Sequence, residues 1–194
     1  MSRKLNRRAF TLIELLMVVA IIVILAAIAI PNFLEAQTRA KVSRAHNDLR
    51  AIGTAIESYR VDHNQYPPEN WVGAERVSAW GDFFIPNAVR LVRITTPIAY
   101  ITSLPNDIFD PGTDPLNQLQ PHTYHYVAKN DPTRPNEIPF FQGNNPDNMH
   151  MEWMMQSYGP DLGRDGGSET YWQYPRYDPT NGTLSIGNIL RSGP

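Results

Sequence analysis

The feature that most constrains this chain is an apolar run near its N-terminus. Leu15 to Ile30 carries no polar side chain, and from Phe10 onward only Thr11 and Glu14 break the run. As helix, residues 10–30 span about 31 Å at 1.5 Å per residue, close to the thickness of a bilayer's hydrocarbon core. Arg3, Lys4, Arg7 and Arg8 precede it with no acid among them. That asymmetry keeps the N-terminus cytoplasmic and exports the residues C-terminal to the run. A secretory signal peptide has the same outline, with a basic start, an apolar middle and Ala27-Ile28-Ala29 as a small-residue cleavage pattern. Two features argue against a disposable signal. The run is longer than the usual apolar region of about 7–15 residues, and Glu14 lies inside it. A carboxylate costs about 2.5–3.5 kcal/mol at the centre of a membrane helix and less near the interface, so a residue kept there is expected to have a function and a partner.

After Pro31 the pattern changes. Leu34, Thr38, Val42, Ala45, Leu49, Ile52, Ile56 and Tyr59 recur at steps of three and four, one stripe of an amphipathic helix. Glu35, Arg39, Arg44, Asp48, Glu57 and Arg60 lie largely off the stripe, where Glu35–Arg39 and Glu57–Arg60 can pair. Pro31 predicts a kink or local melting between the two halves. Asp62-His63-Asn64-Gln65 and then Tyr66-Pro67-Pro68 end the helix.

Here the residues carry a family resemblance. Arg8-Ala9-Phe10-Thr11-Leu12-Ile13-Glu14-Leu15-Leu16, followed by the apolar run and Pro31, resembles the prepilin signal of type IV pilins and type II secretion pseudopilins. The helix tail AIGTAIESYRVDHNQYPP, residues 51–68, resembles the matching segment of the major pseudopilins. The resemblance implies that a prepilin peptidase cuts between Ala9 and Phe10 and that Phe10 is then N-methylated. Ala9 stands where the family usually has glycine. The resemblance also implies that Glu14 meets the N-terminal amine of a neighbouring subunit and sets filament register. Two isolated charges in hydrocarbon are each costly, and as a pair they compensate one another. The plain alternative is that Glu14 reaches the interface and has no partner. In the filament reading that the resemblance implies, Pro31 marks where the assembly seam hands over to the exported part.

The remainder is punctuated by proline, 17 residues in all and nearly all after Tyr66. Thr96-Pro97 before Ile98-Ala99-Tyr100-Ile101 predicts a short helix, ended by Leu104-Pro105. Phe83, Phe84, Leu91 and Ile94 are candidates to pack this connector on the long helix. Strands are predicted at 123–129 (TYHYVAK) and 151–158 (MEWMMQSY), with a third pair at 174–178 and 183–186 turning at Asn181-Gly182. The expected fold is therefore α+β and pilin-like: a long N-terminal helix, transmembrane in its first half and amphipathic in its second, packed on a small antiparallel sheet. Its divisions are a leader at 1–9, a transmembrane and assembly half-helix at 10–31, an amphipathic half-helix at 32–66, and a globular part at 67–194.

The chemistry of the exported part is sparse. There is no cysteine, which removes disulfides, thiolate catalysis and cysteine-bound metals. Net charge is −2, and about −6 without the four leader cations, so no basic footprint for nucleic acid exists. No nucleophile-elbow, zinc-protease or phosphate-loop pattern is present. His122 and His125 are three apart on a predicted strand and so point to opposite faces. Trp71, Trp80, Trp153 and Trp172 read as dispersed core or assembly contacts. The loop from Gly159 to Gly167 sets Asp161 and Asp165 among glycines, which suits either an ordinary turn or Ca²⁺, a cation that takes six to eight oxygens. The resemblance implies calcium here, with Asp161 and Asp165 as first ligands, Asp178 as a third carboxylate and Leu162 through its carbonyl. Together these readings lead to a structural subunit of a type II secretion pseudopilus, with no catalytic activity. Its expected partners are prepilin peptidase, other pilin or pseudopilin subunits, an inner-membrane assembly platform and the membrane itself. It would cross the bacterial inner membrane once, N-terminus inside, and join a periplasmic filament. A type IV pilin for adhesion, motility or DNA uptake is the alternative within the class. A membrane-anchored or secreted binding protein is the alternative outside it.

Overall fold

The computed structural model describes residues 10–68, 91–110, 123–128, 151–162, 176–180, 185 and 187–194. Helix α1 runs Leu12–His63. Pro31 lies inside it, and the chain is α-helical on both sides, so the expected melting does not occur. Proline removes one intrahelical hydrogen bond, here the one to the carbonyl four residues back, at Ala27. The small and aliphatic residues that flank it are sufficient helix formers to carry the helix through. At the other end Asn64 adopts a left-handed φ of 55° and its N–H bonds to the Arg60 carbonyl at 2.7 Å. This is the helix-ending geometry that asparagine tolerates well. Arg60 and His63 occupy the last turn, where cations complement the helix dipole.

The chain divides into two compact units, Met1–Gln37 and Thr38–Pro194. In the first, the apolar side chains from Phe10 to Phe33 are exposed, with Leu15, Ile22 and Ile30 each more than half accessible. In the second, the stripe on α1 is buried from Val42 onward: Ala45, Leu49, Ile52 and Ile56 are fully inaccessible and Tyr59 nearly so. Leu34, placed on the same stripe from sequence, is 54% exposed, so the buried face begins two turns later than its spacing implies.

The face is covered by a three-stranded antiparallel sheet of β1 (His125–Ala128), β2 (Trp153–Ser157) and β3 (Ile189–Gly193), with β2 in the centre. Strand alternation divides the side chains cleanly. Tyr126, Ala128, Trp153, Met155 and Ile189 join the helix residues in one core, while Val127, Met154 and Leu190 form a small cluster of their own. Ala128, Trp153 and Gly193 lie opposite one another across the three strands. A large indole thus sits between two small residues. A third small residue, Gly53 of α1, meets it from the helix, since a Cβ there would lie 3.0 Å from the indole edge. The indole N–H donates to Glu57 at 2.6 Å. Glu57 also accepts weakly from the Tyr66 hydroxyl at 3.4 Å and faces Arg60 at 4.0 Å, and the Arg60 guanidinium lies 4.8 Å from the Tyr66 ring centre.

The third strand is Ile189–Gly193, in a stretch with no strong alternation, and the hairpin expected at 174–178 and 183–186 lies largely outside the described residues. Of that hairpin, Tyr177 and Asp178 are outside any strand, and Tyr174, Thr183 and the Asn181-Gly182 turn lie outside the described residues. Arg176 makes only a single parallel bridge, to Asn188. One sequence expectation is corrected: the helix expected from Thr96 to Ile101 is absent. The chain forms a 3-10 turn at Val92–Ile94 instead, and the Thr96–Pro97 peptide is cis. The threonines that look like a helix start act on the end of that earlier turn: the N–H and hydroxyl groups of Thr95 and Thr96 all donate to the Val92 carbonyl. Tyr100 and Ile101 N–H groups both reach Ile94. Leu91 and Ile94 are buried in the main core as expected, and Phe83 and Phe84 lie outside the described residues.

The slot around Trp153 yields a direct test. A Cβ on Gly193 would lie 2.2 Å from the indole nitrogen, so Gly193→Ala must displace the ring and break its bond to Glu57. It is expected to cost about 2–4 kcal/mol in denaturant unfolding. Gly53→Ala meets only flexible or edge atoms at 2.9–3.0 Å and gains about 1 kcal/mol of helix propensity, so it should stay within about 1 kcal/mol of the parent. Equal effects of the two substitutions would contradict this packing.

Candidate functional site

The N-terminal site is built on the first turn of α1. Thr11 precedes the first helical residue, Leu12, and its hydroxyl accepts from the Glu14 N–H at 3.3 Å. In return Glu14 Oε2 accepts from the Thr11 N–H at 2.9 Å and from its hydroxyl at 2.7 Å. This reciprocal arrangement is a capping box, and Thr11-Leu12-Ile13-Glu14 is its sequence signature. The signature is present in the sequence, inside a run whose apolar character obscures it. Glu14 satisfies helix donors that hydrocarbon could not, and the box it closes begins one residue after Phe10, beside the peptide that joins Ala9 to Phe10. Phe10 is 76% exposed, and Ala9 lies outside the described residues. α1 is long and apolar enough to cross a membrane, and none of its most apolar window is buried within the chain.

The second candidate is the turn after β2. Asp107 holds its base: one carboxylate oxygen accepts from Phe109 N–H at 3.0 Å and the Ser157 hydroxyl at 2.7 Å, and the other from Tyr158 N–H at 3.1 Å. Asp107 is buried, and burial pushes its carboxyl above the usual range against the pull of those three donors. A carboxyl shifted that way contributes stability below its unfolded pKa, and the contribution is lost as pH rises through the folded value. Beyond Tyr158, Gly159 takes a φ of 82° and Leu162 one of 56°, and the Leu162 N–H closes the turn on the Gly159 carbonyl at 3.1 Å. Any Cβ on Gly159 would lie 2.2 Å from the Gly187 carbonyl oxygen, so glycine is required by both conformation and space. Asp161 is exposed, and its Oδ2 accepts from Gly187 N–H at 3.2 Å.

Three of the four calcium candidates, Asp161, Leu162 and Asp178, are among the described residues. Asp161 and Leu162 share the turn, and Asp165 lies outside the described residues. Asp178 is exposed and spends Oδ1 on the Thr180 N–H at 2.8 Å and hydroxyl at 2.7 Å, which holds its carboxyl below the ordinary range. Its own N–H donates to the Ser185 hydroxyl at 2.8 Å. No group of three metal-ligating side chains occurs among the described residues. Of the histidines and tryptophans weighed from sequence, His125 starts β1 and Trp153 is core. His122, Trp71, Trp80 and Trp172 lie outside the described residues.

An exposed apolar helix with a capped acidic first turn, set on a small antiparallel sheet through its second half, defines a pilin-like class of protein. Comparison with known proteins agrees. Residues 4–30 match the prokaryotic N-terminal methylation motif, and residues 32–73 match type II secretion system protein G. The type IV major pilin protein PilA of Myxococcus xanthus is 42% identical over 56% of this chain and 53% of its own length. Type II secretion system core protein G of Pseudomonas aeruginosa is 40% identical over 32% of this chain and 44% of its own length. The core protein G of Klebsiella pneumoniae is 31% identical over 53% of this chain and 69% of its own length. The chain belongs to the family of type IV pilins and type II secretion pseudopilins. It spans about half the length of the first two relatives. No solved structure matches it.

Proposed function

We propose that this chain is a structural subunit of a type II secretion pseudopilus, with no catalytic role of its own. In this reading a prepilin peptidase cuts between Ala9 and Phe10 and Phe10 is methylated. The chain then leaves the inner membrane for a periplasmic filament through its N-terminal helix. The observation that carries the reading is the Thr11–Glu14 box at the head of an exposed apolar helix, one residue from the processing junction. Glu14 Oε2 is engaged by Thr11, and Oε1 takes no hydrogen bond among the described residues. That oxygen is the one presented to a neighbour's N-terminal amine. The protein G match over 32–73 favours a pseudopilus. The 42% identity to a major pilin keeps a type IV pilus as the second reading.

The two duties of Glu14 can be separated. Gln retains the reciprocal cap but not the charge, and Leu loses both. Glu14→Leu and Glu14→Gln are both expected to insert and to be cleaved, and both to reduce sheared filament yield at least about tenfold through loss of the charge pair. Normal yield from Glu14→Gln would remove charge pairing from the account and leave only the cap.

The turn after β2 supports a second proposal, a calcium staple in a chain without cysteine. The positive φ values at Gly159 and Leu162 and the tether from Asp161 to Gly187 set a tight, carbonyl-rich turn. Asp161, the Leu162 carbonyl and Asp165 would hold the ion, with Asp178 as the outermost candidate. Chelator should lower the melting temperature of the full chain in detergent by several degrees and added Ca²⁺ should restore it. Asp161→Ala should abolish the response. A melting curve indifferent to both additions would reject the staple.

A further inference from the structure

Four cations precede the apolar run, and a second group follows it on α1. Arg39, Lys41 and Arg44 are exposed, and no acid occurs from Ala36 to Asn47. They stand out in a chain whose charge after the leader is about −6, the whole-chain −2 less the four leader cations. On the exported side they work against the charge bias that orients the span, so orientation does not account for them. The flanking acids leave their charge available. Asp48 lies 3.7 Å from Arg44, yet its side chain is only 21% exposed and also accepts the Tyr124 hydroxyl at 3.0 Å, while that of Arg44 is 62% exposed. Glu35 precedes Arg39 by one turn. Ion pairs of exposed cations hold little energy and exchange readily for another anion.

We propose that Arg39, Lys41 and Arg44 form a collar that binds anionic phospholipid headgroups at the exported face of the membrane. As helix, the three follow Phe33, the end of the exposed apolar side chains, by about 9, 12 and 17 Å. A headgroup layer is about 5–8 Å deep on each side, and its field reaches about 8 Å further at physiological salt. Helical side chains lean toward the N-terminus, here toward the apolar segment, and long cationic stems extend that way. Register decides the kind of partner. At about 100° per residue, Lys41 and Arg44 lie about 60° apart, and Arg39 lies about 140–160° from both, on the other flank of the helix. A protein docked on one face of α1 would meet one flank. Headgroups surround a helix that leaves a membrane and meet both. The phosphodiester of a phosphatidylglycerol-class lipid carries one negative charge and accepts from guanidinium and ammonium groups. The proposal rests on the reading that the apolar segment lies in lipid before assembly. In that reading cleavage removes all four leader cations, so the cationic side chains left beside the membrane segment are those of the collar. They fix the depth of the mature helix from the exported side.

The full chain in phosphatidylcholine bicelles, with or without phosphatidylglycerol, tests the proposal. Two readouts are needed: amide exchange of residues 15–30, and amide line broadening by a paramagnetic label on the lipid headgroup. Residues 15–30 should be protected in both lipids. Phosphatidylglycerol should add saturable broadening at residues 39–44, and added salt should reverse it. Lys41→Gln and Arg44→Gln change exposed side chains, so folding should survive, and each should weaken the apparent affinity for phosphatidylglycerol about fivefold. Arg60→Gln, an exposed cation in the last turn of α1, should leave it unchanged. Residues 15–30 open to exchange in both lipids would overturn the membrane reading and the collar with it. Protected residues 15–30 with broadening indifferent to phosphatidylglycerol, or undiminished in the two variants, would overturn the collar alone. Broadening that follows protein concentration instead of lipid composition would assign this surface to a second copy and equally overturn the proposal.

Discussion

Burial of one face of α1, from Val42 to Tyr59, is the contact on which the rest of the second unit depends. Leu49, Ile52 and Ile56 are wholly inaccessible, and each stabilises the fold by about 1.5–3 kcal/mol relative to exposure. A three-stranded sheet has too little core of its own to stand without such a face. The fit is specific as well as apolar. Gly53, Ala128 and Gly193 leave the space that Trp153 fills, and Glu57 takes the indole N–H. Tyr124, at the entry to β1, adds a second polar tie from the same side, its hydroxyl donating to Asp48 on α1 at 3.0 Å.

In the first unit the same helix shows the opposite situation. Its apolar side chains from Phe10 to Phe33 are exposed all round. In water that surface would be a strong liability. In lipid, or among the helices of a filament, it is the natural exterior. Glu14 belongs to this setting. Hydrocarbon offers no water to the first N–H groups of a helix, so an acid that closes a capping box is a sensible residue at that place. The family relationship and the geometry therefore meet on the same four residues, Thr11 to Glu14.

Much of this was legible in the sequence, for physical reasons that differ from part to part. The apolar run and the stripe from Val42 to Tyr59 were legible because helical periodicity over many residues has few competing explanations. Strands β1 and β2 were legible from Tyr124, Tyr126, Val127, Trp153 and Met155, which are aromatic, β-branched or bulky residues bounded by turn signals. Strand β3 was not, because Ile189-Leu190-Arg191-Ser192-Gly193 alternates poorly and owes its place to the row shared with Trp153. Thr96-Pro97 misled because a threonine before a proline reads as a helix start, whereas its hydroxyl serves the carbonyl of a turn already ended. At Pro31 the missing hydrogen bond does not interrupt the helix, which continues on both sides of it. The capping box was written in Thr11 and Glu14 and needed only to be read as a pair.

The central claim is that the apolar segment is kept as an assembly helix and loses only a short leader. Mass spectrometry of the N-terminal peptide, from chain made alongside a prepilin peptidase, tests this most directly. The account predicts a mature chain that begins at Phe10 and carries a methyl group on its amine. A mature chain that begins at Ile30, after the Ala27-Ile28-Ala29 pattern, would contradict it.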